Sequence, residues 1–162
     1  MRVAICPGSF DPVTLGHMDI ITRSTKLFDR VIVAVMTNVH KSPMFTTEER
    51  LDFLRRATAH LPHVEVVAYD GLLADFCREQ HAAAIVKGLR AMSDFEYEFQ
   101  MALTNRRLND ETETVFLTTS ADKMYLSSSL VTQIASYGGD ISEFVPREIV
   151  EDITRRTERT AP

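Results

Sequence analysis

The chain has 162 residues, 44% of them apolar and 25% charged, the size and balance of one globular domain around one sizeable core, here taken as residues 1–162. A net charge of −5 argues against general binding to nucleic acid or to an anionic membrane, which needs a basic surface, while leaving room for a locally basic pocket. No apolar run approaches the roughly 20 residues of a membrane span, the N-terminal run stops too soon for a signal peptide, and Cys6 and Cys77 form neither metal-ligand spacing nor a disulfide framework, so a cytoplasmic location is expected.

Strands and helices alternate from the start. Val3–Cys6 reads as a strand and Gly16–Phe28 as a helix, with Ile20, Ile21, Leu27 and Phe28 on one stripe. Val31–Met36 is a continuous apolar run, as in a strand buried on both faces. After a loop from Thr37 to Phe45, Thr46-Thr47-Glu48-Glu49 has capping-box spacing and opens a helix to about Ala59. Val64–Ala68 reads as a strand, Leu72–His81 as a helix after the Asp70-Gly71 turn, and Ala83–Lys87 as a strand. A second capping box, Ser93-Asp94-Phe95-Glu96, is expected to open a long helix to about Leu108. Thr114–Thr118 is the fifth strand. Ser128–Tyr137 is a helix ended by Gly138-Gly139, and Pro146 is expected in the first turn of a last helix. The pattern predicts an α/β fold, a doubly wound, mostly parallel five-stranded sheet, whose ligands bind beyond the carboxyl ends of the strands where strand order reverses.

The segments at those ends are therefore the ones to read. The loop Pro7–His17 contains Gly8 and Gly16, which allow close backbone approach, and the Ser9 hydroxyl, and it ends at a helix N-terminus, where free N–H groups favour an anion. It is neither a P-loop nor a Gly-x-Gly-x-x-Gly turn. His17, in the first turn and in line with Ile20, Ile21 and Ser24, is either a packed, hydrogen-bonded residue or a donor to a phosphate as charge develops. Lys41 lies on the same predicted edge and is either a solvated charge or a bridge between two phosphates. Lys87-Gly88-Leu89-Arg90 is an anion clamp or a charged turn. Ser127-Ser128-Ser129 is a helix N-cap or a second phosphate cradle. Cys6 and Cys77 are expected as small apolar core or pocket-wall residues, Asp122 as a turn residue, and Leu72, Leu73 and Met101 as core or as an apolar wall for an acceptor arm.

In this order these segments resemble the phosphopantetheine adenylyltransferase family, within the superfamily that carries the His-x-Gly-His signature. The matching residues are Pro7-Gly8-Ser9-Phe10-Asp11-Pro12 with Gly16-His17, Lys41 before Pro43-Met44-Phe45, Gly88-Leu89-Arg90, Asp94-Phe95-Glu96-Tyr97-Glu98 and Ser127-Ser128-Ser129. Three positions depart from the commonest pattern. Thr14 stands where the superfamily has its first signature histidine, as is usual in this family. Lys87 stands where many relatives carry arginine, and Lys123-Met124-Tyr125 replaces an aromatic-Ser-aromatic run.

The resemblance implies a Rossmann-like nucleotidyltransferase fold and the transfer of the adenylyl group of ATP to 4'-phosphopantetheine, giving dephospho-coenzyme A and pyrophosphate, in coenzyme A biosynthesis. It implies Mg2+ as cofactor, a homohexamer, and coenzyme A as feedback inhibitor, with no nucleic-acid or membrane partner. His17 and Lys41 would be catalytic. Ser9, Phe10, His17, Gly88, Leu89, Arg90, Glu98, Lys123, Met124, Tyr125, Leu126, Ser127, Ser128 and Ser129 would bind ATP, and Ser9, Lys41, Leu73 and Lys87 the acceptor. No protein ligand for a metal is assigned. Nicotinamide mononucleotide or glycerol phosphate as acceptor, or a nucleotide-binding sensor without catalysis, are the alternatives that sequence physics leaves open.

Overall fold

A computed structural model describes residues 1–38 and 40–160, with backbone alone at Met92, Ser93, Arg159 and Thr160. Five parallel strands, β1 (Val3–Gly8), β2 (Arg30–Met36), β3 (Val64–Tyr69), β4 (Ala84–Leu89) and β5 (Glu113–Thr118), form one sheet in the order β3-β2-β1-β4-β5. The helices are α1 (Leu15–Leu27), α2 (Thr47–Thr58), α3 (Leu73–Glu79), α4 (Met92–Leu108), α5 (Ser128–Ser136) and α6 (Val150–Thr160).

The alternation of side chains along β1 divides the core. Ala4 and Cys6 face one layer with Val31, Val33 and Val86, against Ile20 and Ile21 of α1, Leu51 and Leu54 of α2, Val131 of α5 and Ile153 of α6. Val3 and Ile5 face the other with Ile32, Ala34 and Ile85, against Phe76 and Cys77 of α3. The central strands are apolar on both faces, as a parallel sheet covered on both sides requires, whereas β3 and β5, at the edges, are only half-buried.

Strand order reverses between β1 and β4. There the pairing is short: β1 follows β2 from Val3 opposite Arg30 to Gly8 opposite Val35, but meets β4 only at Ala4 opposite Ala84 and Ile5 opposite Ile85. Beyond those pairs the two strands part, and the crevice between them is where the doubly wound fold binds ligands.

The expected Thr46–Glu49 capping box is present, with Glu49 N–H on Thr46 Oγ1 and Thr46 N–H on Glu49 Oε2, and Gly138 takes the left-handed conformation at φ 76°. Two starts differ from the sequence reading. Helix α4 opens at Met92 with Ala91 as its cap and no side-chain cap bond, and the predicted Ser93 box lies outside the described side chains. Pro146 precedes a single 3-10 turn, Arg147–Ile149, and α6 begins only at Val150. Helix α4 also buries little: Phe95, Tyr97, Phe99, Met101, Leu103 and Leu108 are exposed large apolar side chains.

Candidate active site

A cleft of about 470 Å³ opens where β1 and β4 separate. Its walls come from the Pro7–His17 loop, the end of β4, the first turns of α4 and the approach to α5.

Polar groups of the loop are used locally. Thr14 caps α1: its Oγ1 accepts from His17 N–H at 3.3 Å, and Thr14 N–H donates to His17 Nδ1 at 3.0 Å. This is a capping box with histidine in the place usually held by Glu or Gln. Because a backbone N–H can only donate, Nδ1 is the acceptor and the ring proton sits on Nε2. Burial holds the imidazole pKa down to about 4, and the charges of Lys87 and Arg90 lower it further. His17 is therefore neutral at physiological pH, a fixed Nε2–H donor rather than a cation or a general base. Phe10 stands edge-on to it, ring centroids 5.0 Å apart. Phe10 holds a left-handed backbone, φ 48°, a conformation that costs a non-glycine residue about 1–3 kcal/mol. Gly8 makes room for its ring, since a Cβ at Gly8 would come 3.1 Å from it.

The cations are arranged opposite. Lys87 Nζ lies 3.5 Å from Glu98 Oε1, and Arg90 Nε lies 3.2 Å from Asp94 Oδ2 while Nη1 donates to Leu126 O at 3.0 Å. Lys123 pairs with Asp122 at 3.0 Å, and Asp122, expected as a turn residue, lies in the short 3-10 helix Ala121–Lys123. Lys41 also lines the cleft and, among the described residues, its ammonium has no carboxylate partner. Gly88 is required by packing as well as by access: a Cβ there would lie 2.9 Å from Ile20 Cγ1. Ser127 is the N-cap of α5, its Oγ accepting from Leu130 N–H at 3.1 Å, and it also lines the cleft. Ser128 Oγ donates to Pro12 O at 2.7 Å and ties α5 to the loop.

Of the expected site residues, Ser9, Phe10, His17, Lys41, Lys87, Gly88, Arg90, Glu98, Lys123, Leu126, Ser127 and Ser128 line one cleft. Five do not. Leu89 follows Gly88 on a strand, and the pleat turns its side chain to the other face. Met124 and Tyr125 are exposed, Tyr125 meeting Phe144 edge-on at 6.2 Å. Ser129 is exposed on α5. Leu73 packs against the core layer under α3 with Met36 and Tyr69. Leu72 and Met101 are exposed rather than core, so a single chain offers no apolar wall from these three.

Sequence reasoning missed Thr119, Val86, Ile20 and Ile21 as lining residues, while Asp94 belongs to the 94–98 block it had singled out. Thr119 directly follows β5 and was within reach of the rule that sent attention to carboxyl ends. Cys6 forms part of the wall, and burial raises its thiol to about 11, with the Ser24 hydrogen bond and Lys87 opposing, so it is not a nucleophile here. Among the described residues no group of three or more His, Cys, Asp or Glu side chains gathers that could hold a metal ion.

The family model described as Cytidylyltransferase-like matches residues 5–134. Among solved structures, the nicotinic acid mononucleotide adenylyltransferase of Plasmodium falciparum, complexed with NaAD, superposes with a TM-score of 0.69 over 95% of each chain, at 12% identity, a likeness of fold. Curated relatives are much closer in sequence. The chain is 55% identical over 159 residues to the phosphopantetheine adenylyltransferase of Rhizorhabdus wittichii, covering 98% of this chain and 96% of that one. It is 54% identical over 160 residues to the enzyme of the same name from Caldanaerobacter subterraneus, covering 99% and 100%, and 52% identical over 157 residues to that of Clostridium botulinum, covering 97% and 99%. With its five-stranded fold, its cleft at the strand reversal and likeness along nearly its whole length, the chain belongs to the phosphopantetheine adenylyltransferase family.

Proposed function

We propose that the chain transfers the adenylyl group of ATP to 4'-phosphopantetheine, releasing dephospho-coenzyme A and pyrophosphate, a step of coenzyme A biosynthesis. The observation that carries this reading is the cleft itself, which brings a neutral histidine donor and four cationic side chains, Lys41, Lys87, Arg90 and Lys123, to the point of strand reversal. The acceptor phosphate is already a nucleophile near neutral pH. One of its oxygens bonds to the α-phosphorus as the bond from that phosphorus to the bridging β-oxygen breaks, and pyrophosphate departs with the electron pair. No covalent enzyme intermediate and no general base are needed, so catalysis is positioning and charge stabilisation. In this assignment His17 Nε2–H and Lys41 face the pentavalent phosphorus, Arg90 and the Ser127–Ser128 hydroxyls hold the outer phosphates, and Ser9 and Lys87 hold the acceptor.

The residues present do not assemble a dedicated Mg2+ cage. The two cleft carboxylates, Asp94 and Glu98, are engaged with Arg90 and Lys87, and Mg2+ commonly travels on substrate phosphates and water. The ion would travel with the phosphates of ATP, where it would offset their charge. A homo-oligomer, the hexamer of the resemblance, is supported by the apolar face of α4, since soluble monomers rarely leave such a patch uncovered. Coenzyme A contains both the pantetheine phosphate and the adenosine of the product and would fill the same cleft as an inhibitor. No helix of the described residues is long and apolar enough to cross a membrane.

The test is His17→Ala. It is expected to fold and bind ATP while losing turnover by about 100- to 1000-fold, the usual cost of one transition-state donor. Near-native turnover would reject the assignment. Pyrophosphate release measured with phosphopantetheine, nicotinamide mononucleotide and glycerol phosphate in parallel decides the acceptor, and release with none of them would leave a nucleotide-binding sensor.

A further inference from the structure

Lys41 sits in a segment held at its two ends. At one end Thr37 N–H donates to Tyr69 O at 3.2 Å, beside the end of β3. At the other, Met44 N–H donates to Asp11 Oδ2 and Phe45 N–H to Asp11 Oδ1, both at 2.9 Å. His40, Lys41, Ser42 and Pro43 between these anchors are exposed. The second anchor is reinforced from α6. Arg156 Nη2 donates to Met44 O at 3.1 Å and Nη1 to Glu49 Oε1 at 3.1 Å, while its guanidinium lies 6.0 Å over the buried Phe45 ring. Asp11 belongs to the loop that carries Ser9, Phe10 and His17. The same carboxylate therefore makes the floor of the cleft and the base of the Lys41 segment one frame.

We propose that Asp11, with Arg156, is a positioning residue for adenylyl transfer: the two hold Met44–Phe45 so that Lys41, three residues away, stands over the reacting phosphates beside His17. The inference rests on the role assigned to Lys41 above. It also gives α6 a task at the site although that helix lies beyond the residues matched by the family model. Both oxygens of Asp11 are committed to consecutive amides, which an asparagine cannot match, because its amide nitrogen would face an N–H instead of accepting from it. A displacement of the segment by about 1 Å is enough to cost on the order of 100-fold in rate.

The experiment is a double-mutant cycle on the full chain, with kcat for pyrophosphate release and the equilibrium Kd for ATP as readouts. Asp11→Asn is expected to lower kcat by about 10- to 100-fold with ATP affinity kept within about twofold, yet to change kcat by less than about twofold when Lys41 is already alanine. An equal loss in both backgrounds, or no loss with Lys41 intact, overturns the inference. If Lys41→Ala alone retains full turnover, the role of Lys41 falls and this inference with it, whereas a slow Lys41→Ala enzyme with equal losses overturns the inference alone. Arg156→Gln releases Met44 O from the α6 side and carries the same cycle if Asp11→Asn does not fold, with the same outcomes deciding.

Discussion

Acidification from about pH 7.5 to about pH 5 is expected to remove about 2 kcal/mol of folding stability through His17. In the native chain its pKa lies at about 4, set first by burial and then by Lys87 and Arg90, against 6.5 for the free side chain. The unfolded chain thus takes up a proton on this group below pH 6.5 that the native chain refuses until about pH 4. A depressed native value means that the stability is fully present above the unfolded pKa and is lost as pH falls toward the native one. Each pH unit inside that window is worth about 1.4 kcal/mol, so the step from 6.5 to 5 accounts for about 2 kcal/mol, somewhat less for the part of the ring that water reaches. Urea unfolding at a series of pH values measures it, comparing the parent chain with His17→Gln. Glutamine at this position can still accept from Thr14 N–H and complete the capping box, but it does not titrate. The stability difference between the two chains should narrow in favour of the variant by about 2 kcal/mol across that range, with unchanged denaturant slopes. Parallel profiles, or a parent chain that gains on the variant as pH falls, would refute the assignment of a buried neutral imidazole.

Gly88→Ala puts a methyl group 2.9 Å from Ile20 Cγ1 and is expected to destabilise by about 1–3 kcal/mol through overpacking. Combining it with Ile20→Ala, which removes the clashing atoms, should cost less than the sum of the two single changes in thermal or urea unfolding. Leu103→Glu on the exposed face of α4 should leave the monomer fold intact, because the residue is 56% exposed in a single chain, and shift the sedimentation profile to smaller species. An unchanged profile would remove α4 from the interface.

The sheet was legible because its signals are short-range. The Val31–Met36 run, the Thr46–Glu49 box and the glycines at 138 and 139 are decided within a turn or a strand, and local periodicity reports them faithfully. Alternation of strands and helices predicted a mostly parallel sheet, which drew attention to the carboxyl ends of its strands and so to His17, Lys41, Lys87 and Arg90; the order β3-β2-β1-β4-β5 came from the structure. What failed was local chemistry overruled by tertiary placement. Helix α4 opens at Met92 behind Ala91, with no side-chain cap bond, and Pro146 precedes a 3-10 turn rather than opening α6. Leu73 packs against the core layer under α3 and does not line the cleft of a single chain. The pairing of Asp11 with Met44 and Phe45 spans more than 30 residues. Nothing in the loop itself distinguishes that carboxylate from an ordinary turn aspartate.

The brief contact between β1 and β4 means that the sheet is two rafts, β3-β2-β1 and β4-β5, moored to each other by Ala4–Ala84 and Ile5–Ile85. A nucleotide seated in the gap, as proposed above, would touch both rafts and act as a third mooring. Bound ligand should therefore slow amide hydrogen exchange most at the inner ends of β1 and β4, residues 6–8 and 86–88, and raise the melting temperature with concentration as any native-state ligand does. The residues that line the cleft, Cys6–Gly8 and Val86–Gly88, directly follow the pairs that moor the two rafts, so loading the cleft and joining the sheet are expected to be one event.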